Sequence, residues 1–283
     1  MKTSWGFMKR VGAPNLAYRI YEPDTIKRYA IIVPGYGDHI ELYDHLQNRL
    51  CLEGIATLAL ELRGHGSSSG TRVHVTSFDE YAEDIALAVK KLTEKYGSVN
   101  FTLIGHSQGG LAIHYYMNIG DNAKRINGLS MIAPFYDIAE AIKPNILVRA
   151  FASVANVIYP KFSLMNADGS SSKICDDPAW IDQLDGDAVY ANGKYTIGWY
   201  FASKAAQDSV FKGAKLQPDT PMQFLVASKE LLVSEPATYR MYGLVKGKSA
   251  KTEYTIVEGK HKLILCKQRD KAMDHIVRWI YSL

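Results

Sequence analysis

Short apolar runs alternate with longer amphipathic segments along the first half of the chain. Each run is too short for a helix and is followed within two residues by Gly or Pro, which is typical of a buried strand. Such strands are predicted at 29–33, 55–62, 101–104 and 126–132. Between them, apolar positions in 41–53 and 77–96 recur at helical spacing and predict helices. This alternation favours a parallel sheet with helices on both faces.

The alternation stops after Pro134 and resumes near residue 196. Segment 138–195 combines an apolar stretch at 146–158 with a polar, turn-rich run at 166–172. We interpret it as a cap inserted between two parts of the core, 1–137 and 196–283. The second part continues the alternation of strands and helices. Strands are predicted at 221–227 and 254–257. Helices are predicted near 196–212, from about residue 235, and at the end of the chain up to Leu283.

Composition and charge narrow the classes of function. The 283 residues are 47% hydrophobic and 22% charged, as in globular proteins that need no disulfides. The net charge of +4 is too small to predict a nucleic-acid partner. Cys51, Cys175 and Cys266 form no CxxC pair, which favours a reduced compartment. Without a signal-peptide pattern or a run of about 18 apolar residues, we expect a cytoplasmic protein.

A candidate nucleophile lies directly after the predicted strand 101–104. Residues 105–109, Gly-His-Ser-Gln-Gly, match the pattern G-x-S-x-G. In a nucleophile elbow this pattern forms a sharp turn from a strand into a helix, and the glycines leave room for that turn. The serine then lies at the helix N-terminus, where the dipole and free amides favour negative charge. The pattern is common by chance, but this context predicts Ser107 as the nucleophile.

Two backbone amides are the candidate donors to the oxyanion of a tetrahedral intermediate. In the fold that carries the elbow, one amide belongs to the residue after the nucleophile and the other to a loop after an early strand. Gln108 and Tyr36 occupy those positions, although a plain strand-to-helix turn is the alternative for the second loop. His39 in the same loop is more readily interpreted as structural.

The candidate general base is His261. It must take the proton of the serine and later return it, and the order along the chain is serine, acid, histidine. Only His261 and His275 follow the returning strands. His275 falls inside the predicted terminal helix, whereas His261 follows strand 254–257 in a loop. The side chain of His106, next to the nucleophile, is expected to point away from the hydroxyl.

The acid that orients the histidine is less well defined. Glu230 is the acidic residue that follows strand 221–227, and a triad accepts either Asp or Glu. Asp137, just after strand 126–132, is the alternative acid. The sequence therefore predicts Ser107, His261 and Glu230 as the catalytic residues, with Asp137 kept open.

These motifs together resemble the monoacylglycerol lipase and lysophospholipase group of α/β-hydrolases. The resemblance covers about 20–135 and 215–280 and rests on residues 36–39, 63–70, 77–81 with Asp84, and 105–110. His261 matches the histidine of that group, and Glu230 stands where it has an aspartate. The resemblance implies an α/β-hydrolase fold with a mostly parallel central sheet, and hydrolysis of a single-acyl lipid ester without a cofactor.

The sequence departs from the group at four positions. Pro34 stands where a histidine is usual, Glu61 and Glu230 replace aspartates, and Lys262 follows His261 where a glutamate is common. The change at Glu230 is the one that bears directly on the chemistry.

We therefore expect a serine carboxylester hydrolase that works through an acyl-enzyme on a small-molecule acyl ester. The apolar stretch 146–158 either lines an acyl channel or packs as an ordinary helix, and an apolar cap is compatible with peripheral membrane contact. A general carboxylesterase, an acyltransferase or a perhydrolase with the same triad is an alternative, and so is a non-catalytic ligand-binding homologue. No HExxH, Walker or dinucleotide-binding motif supports metal or nucleotide chemistry.

Overall fold

The computed structural model describes residues 1–119, 122–165, 170–191, 194–213, 220–249 and 251–283. Its strands are β1 (Lys2–Met8), β2 (Leu16–Glu22), β3 (Arg28–Val33), β4 (Ile55–Leu60), β5 (Phe101–His106), β6 (Ile126–Ile132), β7 (Ser163–Met165), β8 (Lys194–Thr196), β9 (Met222–Ala227) and β10 (Thr252–Val257). Its α-helices are α1 (Asp44–Leu52), α2 (Asp79–Tyr96), α3 (Gln108–Asn118), α4 (Ile146–Ile158), α5 (Pro178–Gly186), α6 (Ile197–Gly213), α7 (Glu235–Lys246) and α8 (Arg269–Tyr281).

Eight of these strands form one sheet in the order β1-β2-β4-β3-β5-β6-β9-β10. Strands β4, β3, β5, β6, β9 and β10 pair in parallel, whereas β2 pairs antiparallel with both β1 and β4. The expectation of a mostly parallel sheet is confirmed. The hydrophobic pattern gave no indication of β1, because most of its residues are exposed and it therefore contains no apolar run.

Helices cover both faces of the sheet, as expected. Consecutive residues of a strand point to opposite faces, so Ile31 and Val33 of β3 enter one core while Ala30 and Ile32 enter the other. The first core also contains apolar side chains of α2, α3, α6 and α7. The second contains those of α1 and α8.

Segment 138–195 contains α4, the strand β7 and α5, and its two helices differ in how far their apolar side chains are buried. Most of the large apolar side chains of α4 are exposed, whereas Trp180 and Leu184 of α5 are buried in the second core. Residues 166–169, which belong to the predicted polar run, and residues 192–193 lie outside the described residues. The cap boundaries at 138 and 195 remain a prediction.

The candidate catalytic and oxyanion residues follow the carboxyl ends of the parallel strands, at one edge of the sheet. The chain passes from β3 to Tyr36, from β5 to Ser107, from β9 to Glu230 and from β10 to His261. Open parallel sheets bind ligands at this edge because it is where their loops converge. Within the described residues, no helix is both long and apolar enough to span a membrane.

Candidate active site

The turn at Ser107 has the geometry of a nucleophile elbow. Ser107 has φ 51° and ψ −116°, a conformation that is strained for any residue with a side chain. A Cβ on Gly109 would lie 2.1 Å from the carbonyl oxygen of Val33, and one on Gly105 would lie 2.6 Å from the carbonyl oxygen of Gly109. Glycine at both positions is therefore what lets α3 begin so close to the sheet.

A cavity of about 460 Å³ opens above this turn. Ser107 and His261 both line it, as do Tyr36 and Gln108. Most of its remaining wall is apolar or aromatic and includes Phe135, Ile138, Val148, Tyr195, Trp199, Tyr200, Leu231 and Leu232. Its size is within the range of small-molecule sites in proteins.

The structure brings Glu230 to His261. Nδ1 of His261 donates to Oε2 of Glu230 at 2.8 Å, and both side chains are almost fully buried. The other carboxylate oxygen accepts from the backbone amides of Leu231, Leu232 and Val233 at 2.8–3.3 Å. Burial alone would raise the pKa of Glu230, but the positive charge and hydrogen bond of His261 outweigh it and hold that pKa below its usual value.

The structure does not bring Asp137 to His261. The carboxylate of Asp137 instead lies 3.1 Å from Nζ of Lys143 and 3.5 Å from Nζ of Lys204, and it accepts from the amide of Ile138. Its neighbours are thus two lysines of the surrounding helices and loops. His275 lies in α8, as the sequence predicts.

Gln108 follows Ser107 as the first residue of α3, Tyr36 follows β3, and the side chains of both contact Trp199. The indole N–H of Trp199 donates to Oε1 of Gln108, and the rings of Tyr36 and Trp199 are 4.3 Å apart. These contacts with Trp199 hold both side chains in the wall of the cavity. His39 does not line the cavity; its ring nitrogens contact Glu41 at 2.5 Å and Asp187 at 2.6 Å, in agreement with a structural role.

Sequence reasoning missed a buried polar cluster behind the site, centred on Asp38. Nζ of Lys262 donates to Oδ1 of Asp38 at 2.5 Å, and the hydroxyl of Tyr43 donates to Oδ2 at 2.7 Å. That hydroxyl also lies 2.9 Å from Nδ1 of His106, whose Nε2 donates to the backbone oxygen of His261 at 3.2 Å. Both ring nitrogens of His106 therefore have partners other than the hydroxyl of Ser107.

Charge pairing keeps Asp38 and Lys262 ionised in spite of their burial. Burial opposes the charge of Asp38, but Lys262 and His106 hold its pKa far below the usual value. Burial likewise lowers the pKa of Lys262, and Asp38 more than compensates, so that this pKa is raised. In the sequence, Lys262 stands out only as a departure from the monoacylglycerol lipase group, and its burial and its partner become known from the structure.

Comparison with known proteins identifies the family. The model of the family described as serine aminopeptidase, S33, matches residues 24–267, which is most of the chain. The chain belongs to this family of α/β-hydrolases. The predicted resemblance to the monoacylglycerol lipase group is confirmed by its relatives among characterised proteins and solved structures.

Two relatives of this S33-family chain are lipases by name. The chain is 27% identical to a monoacylglycerol lipase of Mycolicibacterium smegmatis over 189 aligned residues. The aligned region covers 66% of this chain and 65% of that protein. The chain is 29% identical to the monoglyceride lipase of Rattus norvegicus over 153 aligned residues. The aligned region covers 54% of this chain and 50% of that protein. The chain thus spans one half to two thirds of the length of these relatives.

Solved structures show the same fold. The crystal structure of a Paleococcus ferrophilus monoacylglycerol lipase superposes on this chain with a TM-score of 0.82 at 20% sequence identity. The superposition covers 94% of this chain and 98% of the lipase chain. A soluble variant of the Saccharomyces cerevisiae monoglyceride lipase, in complex with a substrate analogue, has a TM-score of 0.85 at 15% identity, with coverage of 97% and 94%. At these identities the likeness concerns the fold.

Proposed function

We propose that this protein is a serine ester hydrolase that cleaves single-acyl lipid esters through an acyl-enzyme. The observation that carries the proposal is the hydrogen bond from His261 to the buried carboxylate of Glu230, at a cavity that Ser107 also lines. A histidine held in this way presents its Nε2 as the free basic nitrogen, which is the state a general base needs.

In the first half of the reaction, Oγ of Ser107 attacks the ester carbonyl carbon while Nε2 of His261 takes the serine proton. The backbone N–H groups of Tyr36 and Gln108 donate to the resulting oxyanion. Glu230 stabilises the imidazolium that forms and stays ionised itself. When the tetrahedral intermediate collapses, the ester C–O bond breaks, and His261 returns the proton to the departing alcohol.

In the second half, water replaces the alcohol. His261 takes a proton from the water as the water oxygen attacks the acyl carbon of the acyl-enzyme. The same two amides hold the second oxyanion, and His261 then returns the proton to Oγ of Ser107 as the fatty acid leaves. The cycle consumes one water and requires no group other than these side chains and amides.

The lipid nature of the substrate is supported by the cavity wall and by the relatives. Aliphatic and aromatic side chains dominate the wall, which suits an acyl chain better than a peptide or a sugar. The relatives named monoacylglycerol lipase and monoglyceride lipase, and a Bacillus subtilis protein named phospholipase YtpA, point to the same class of ester.

We further propose that segment 138–195 is a cap whose helix α4 touches the lipid surface. Leu147, Phe151, Val154 and Ile158 recur at helical spacing on one side of α4, and each is more than 60% exposed. Large exposed apolar patches on soluble folds mark interaction surfaces. Double substitution Leu147→Asp/Phe151→Asp should abolish cosedimentation with phosphatidylcholine vesicles and leave hydrolysis of a dissolved short-chain ester intact.

The proposed activity is tested by fatty-acid release from monoacylglycerols and lysophospholipids of increasing chain length, together with labelling by a fluorophosphonate probe. The wild type should hydrolyse at least one series and become labelled, whereas Ser107→Ala should do neither. Full activity of Ser107→Ala would refute the role of Ser107. Labelling without release of fatty acid from any ester would refute the proposed substrate class, and transfer of the acyl group to an added alcohol would show a transferase.

A further inference from the structure

Trp199 contacts both residues whose backbone amides are the proposed oxyanion donors. Its indole N–H donates to Oε1 of Gln108, and its ring centroid lies 4.3 Å from that of Tyr36. It also stacks on Phe135, with the ring planes 5° apart and the centroids 5.7 Å apart. The backbone amide of Phe135 donates in turn to the carbonyl oxygen of Ser107 at 3.0 Å. One side chain thus contacts three segments that meet at the nucleophile, those that follow β3, β5 and β6.

The side-chain amide of Gln108 is fixed at both of its ends. An indole N–H is a donor only, so the oxygen of the amide must face Trp199. The nitrogen of the amide then lies 3.5 Å from Nε2 of His65. Nδ1 of His65 donates to the backbone oxygen of Arg63 at 3.0 Å, which leaves Nε2 as the acceptor. Burial lowers the pKa of His65 to about 4 and so keeps this ring neutral. Gln108 is therefore held from two sides by partners that match it.

Trp199 is itself held in place by the first turn of α6. Backbone amides in the first turn of an α-helix have no partner within the helix. Here the amide of Gly198 donates to the carbonyl oxygen of Pro160, just after α4, at 2.8 Å, and the amide of Trp199 donates to Oγ1 of Thr196 at 3.2 Å. A Cβ on Gly198 would lie only 3.1 Å from that carbonyl oxygen, so the turn packs closely on the chain that follows α4. The indole therefore has a fixed support.

We propose that Trp199 is a positioning residue for the ester hydrolysis, which holds Tyr36 and Gln108 so that both of their amides point at the oxyanion. This inference rests on the proposed function. Oxyanion donors accelerate a reaction only when they already stand where the negative charge develops. Displacement of such a group by about 1 Å can cost a factor of about 100 in rate. Trp199 itself moves no proton and acts through the two donor residues.

The test removes the hydrogen bond between Trp199 and Gln108 from either side. Trp199→Phe removes the N–H and keeps an aromatic ring, and Gln108→Met removes the acceptor and keeps the length of the side chain. Both variants and the double variant are assayed for release of decanoic acid from 1-decanoylglycerol and 1-decanoylglycerophosphocholine. Titration of active sites with a fluorophosphonate normalises kcat, so a misfolded fraction does not count. Trp180→Phe is the matched control, because Trp180 of α5 is similarly buried, at 9% exposure, and belongs to the second core.

A second measurement compares inhibition by two ketones of the same length. The carbonyl carbon of 1,1,1-trifluoro-2-dodecanone bonds to Oγ of Ser107, the serine proton passes to His261, and the ketone oxygen becomes an oxyanion. The methyl ketone 2-dodecanone has the same shape and resists this addition, so it reports on binding alone. A loss of oxyanion stabilisation should therefore weaken inhibition by the first ketone and leave inhibition by the second unchanged.

We expect Trp199→Phe and Gln108→Met each to lower kcat by about tenfold with little change in KM, which is less than the 10²–10³ lost with one whole donor, since both amides remain. The inhibition constant of the trifluoromethyl ketone should rise by the same factor. The double variant should lose no more than the worse single variant, because both substitutions remove the same hydrogen bond. Trp180→Phe should leave kcat and both inhibition constants unchanged.

An unchanged kcat in Trp199→Phe would overturn the inference, and a raised KM alone would mean that Trp199 only contacts the substrate. Multiplying losses in the double variant would also overturn it, as would an equal rise of both inhibition constants. An equal loss of kcat in Trp180→Phe would point to a general effect of a lost buried indole and would overturn it too. All of these outcomes leave ester hydrolysis standing. A wild type that releases no decanoic acid and is not labelled by the fluorophosphonate would overturn the proposed function as well.

Discussion

The buried ion pair between Asp38 and Lys262 allows a quantitative test of how the candidate site is held together. The pair joins two loops that are 224 residues apart in the chain, one after β3 and one after β10. We consider three variants: Asp38→Asn, Lys262→Met and the double variant. Asn preserves the size of Asp38 and keeps an oxygen for Tyr43 and Gly35, and Met preserves the length of the Lys262 side chain.

The expected free energies follow from the partners that each variant leaves behind. Asp38→Asn leaves the ammonium of Lys262 buried with the ring of Tyr190 at 5.0 Å as its main partner, and loss of one member of a buried pair costs about 3–5 kcal/mol. Lys262→Met should cost less, about 1–3 kcal/mol, because the carboxylate of Asp38 keeps the hydrogen bonds from Tyr43 and Gly35. The double variant removes both charges and should cost no more than Asp38→Asn alone.

The measurement is the free energy of unfolding in urea for the wild type and the three variants at one pH. Removal of both charges should produce a coupling energy of at least about 1 kcal/mol, within the range seen for residues in direct contact. The control cycle uses Lys90→Met and Glu94→Gln, whose exposed side chains lie 3.9 Å apart and should couple by no more than about 0.5 kcal/mol.

Additive effects of Asp38→Asn and Lys262→Met, within about 0.5 kcal/mol, would refute this reasoning. Additivity would mean that the two charges do not depend on each other for burial, which would be incompatible with the contact at 2.5 Å. Unchanged slopes of the unfolding free energy against urea are required for the comparison, because a changed slope would indicate a different unfolded or native state.

Three further results are expected. Glu230→Gln should lower kcat for ester hydrolysis by a factor of about 100 or more through loss of the correct histidine tautomer, and Asp137→Asn should leave kcat nearly unchanged; the reverse result would make Asp137 the acid. Gly109→Ala should prevent stable folding or cost several kcal/mol in urea unfolding, because the new Cβ would lie 2.1 Å from a backbone oxygen. Hydrogen bonds to Glu41 and Asp187 outweigh burial and raise the pKa of His39. The free energy of unfolding of the wild type should therefore exceed that of His39→Gln by its full amount below pH 6.5, and the difference should fall as the pH rises through the raised pKa. A difference that grows with pH would contradict this.

The elements and residues that could be predicted from sequence are those defined by local pattern. Apolar runs placed β3, β5, β6 and β9 within a residue or two of their observed bounds, because a buried strand of a parallel sheet is apolar on both faces. The motif at 105–109 located the elbow because its glycines satisfy a steric need that arises within the turn itself. These features depend on residues that are close together in the chain.

The features that could not be predicted depend on contacts between distant segments. The pair of Asp38 and Lys262 and the bond from His106 to the backbone of His261 become visible only once the loops meet. The edge strand β1 has a mostly exposed surface, so no apolar run marks it. The apolar stretch 146–158 left two interpretations open, and the structure shows that one side of α4 lines the cavity while another is exposed.

The glutamate at position 230 illustrates how a change that looked adverse in the sequence is accommodated by local geometry. One carboxylate oxygen of Glu230 accepts from the three amides that immediately follow it, and this fixes the side chain against its own loop. The other oxygen is then free to accept from Nδ1 of His261. Such a carboxylate pays little entropy to hold the imidazole, because its rotamer is already set by the amides. The longer side chain of glutamate therefore lets one carboxylate oxygen bind the amides of its own loop, while the hydrogen bond of the other oxygen to His261 keeps a normal length of 2.8 Å.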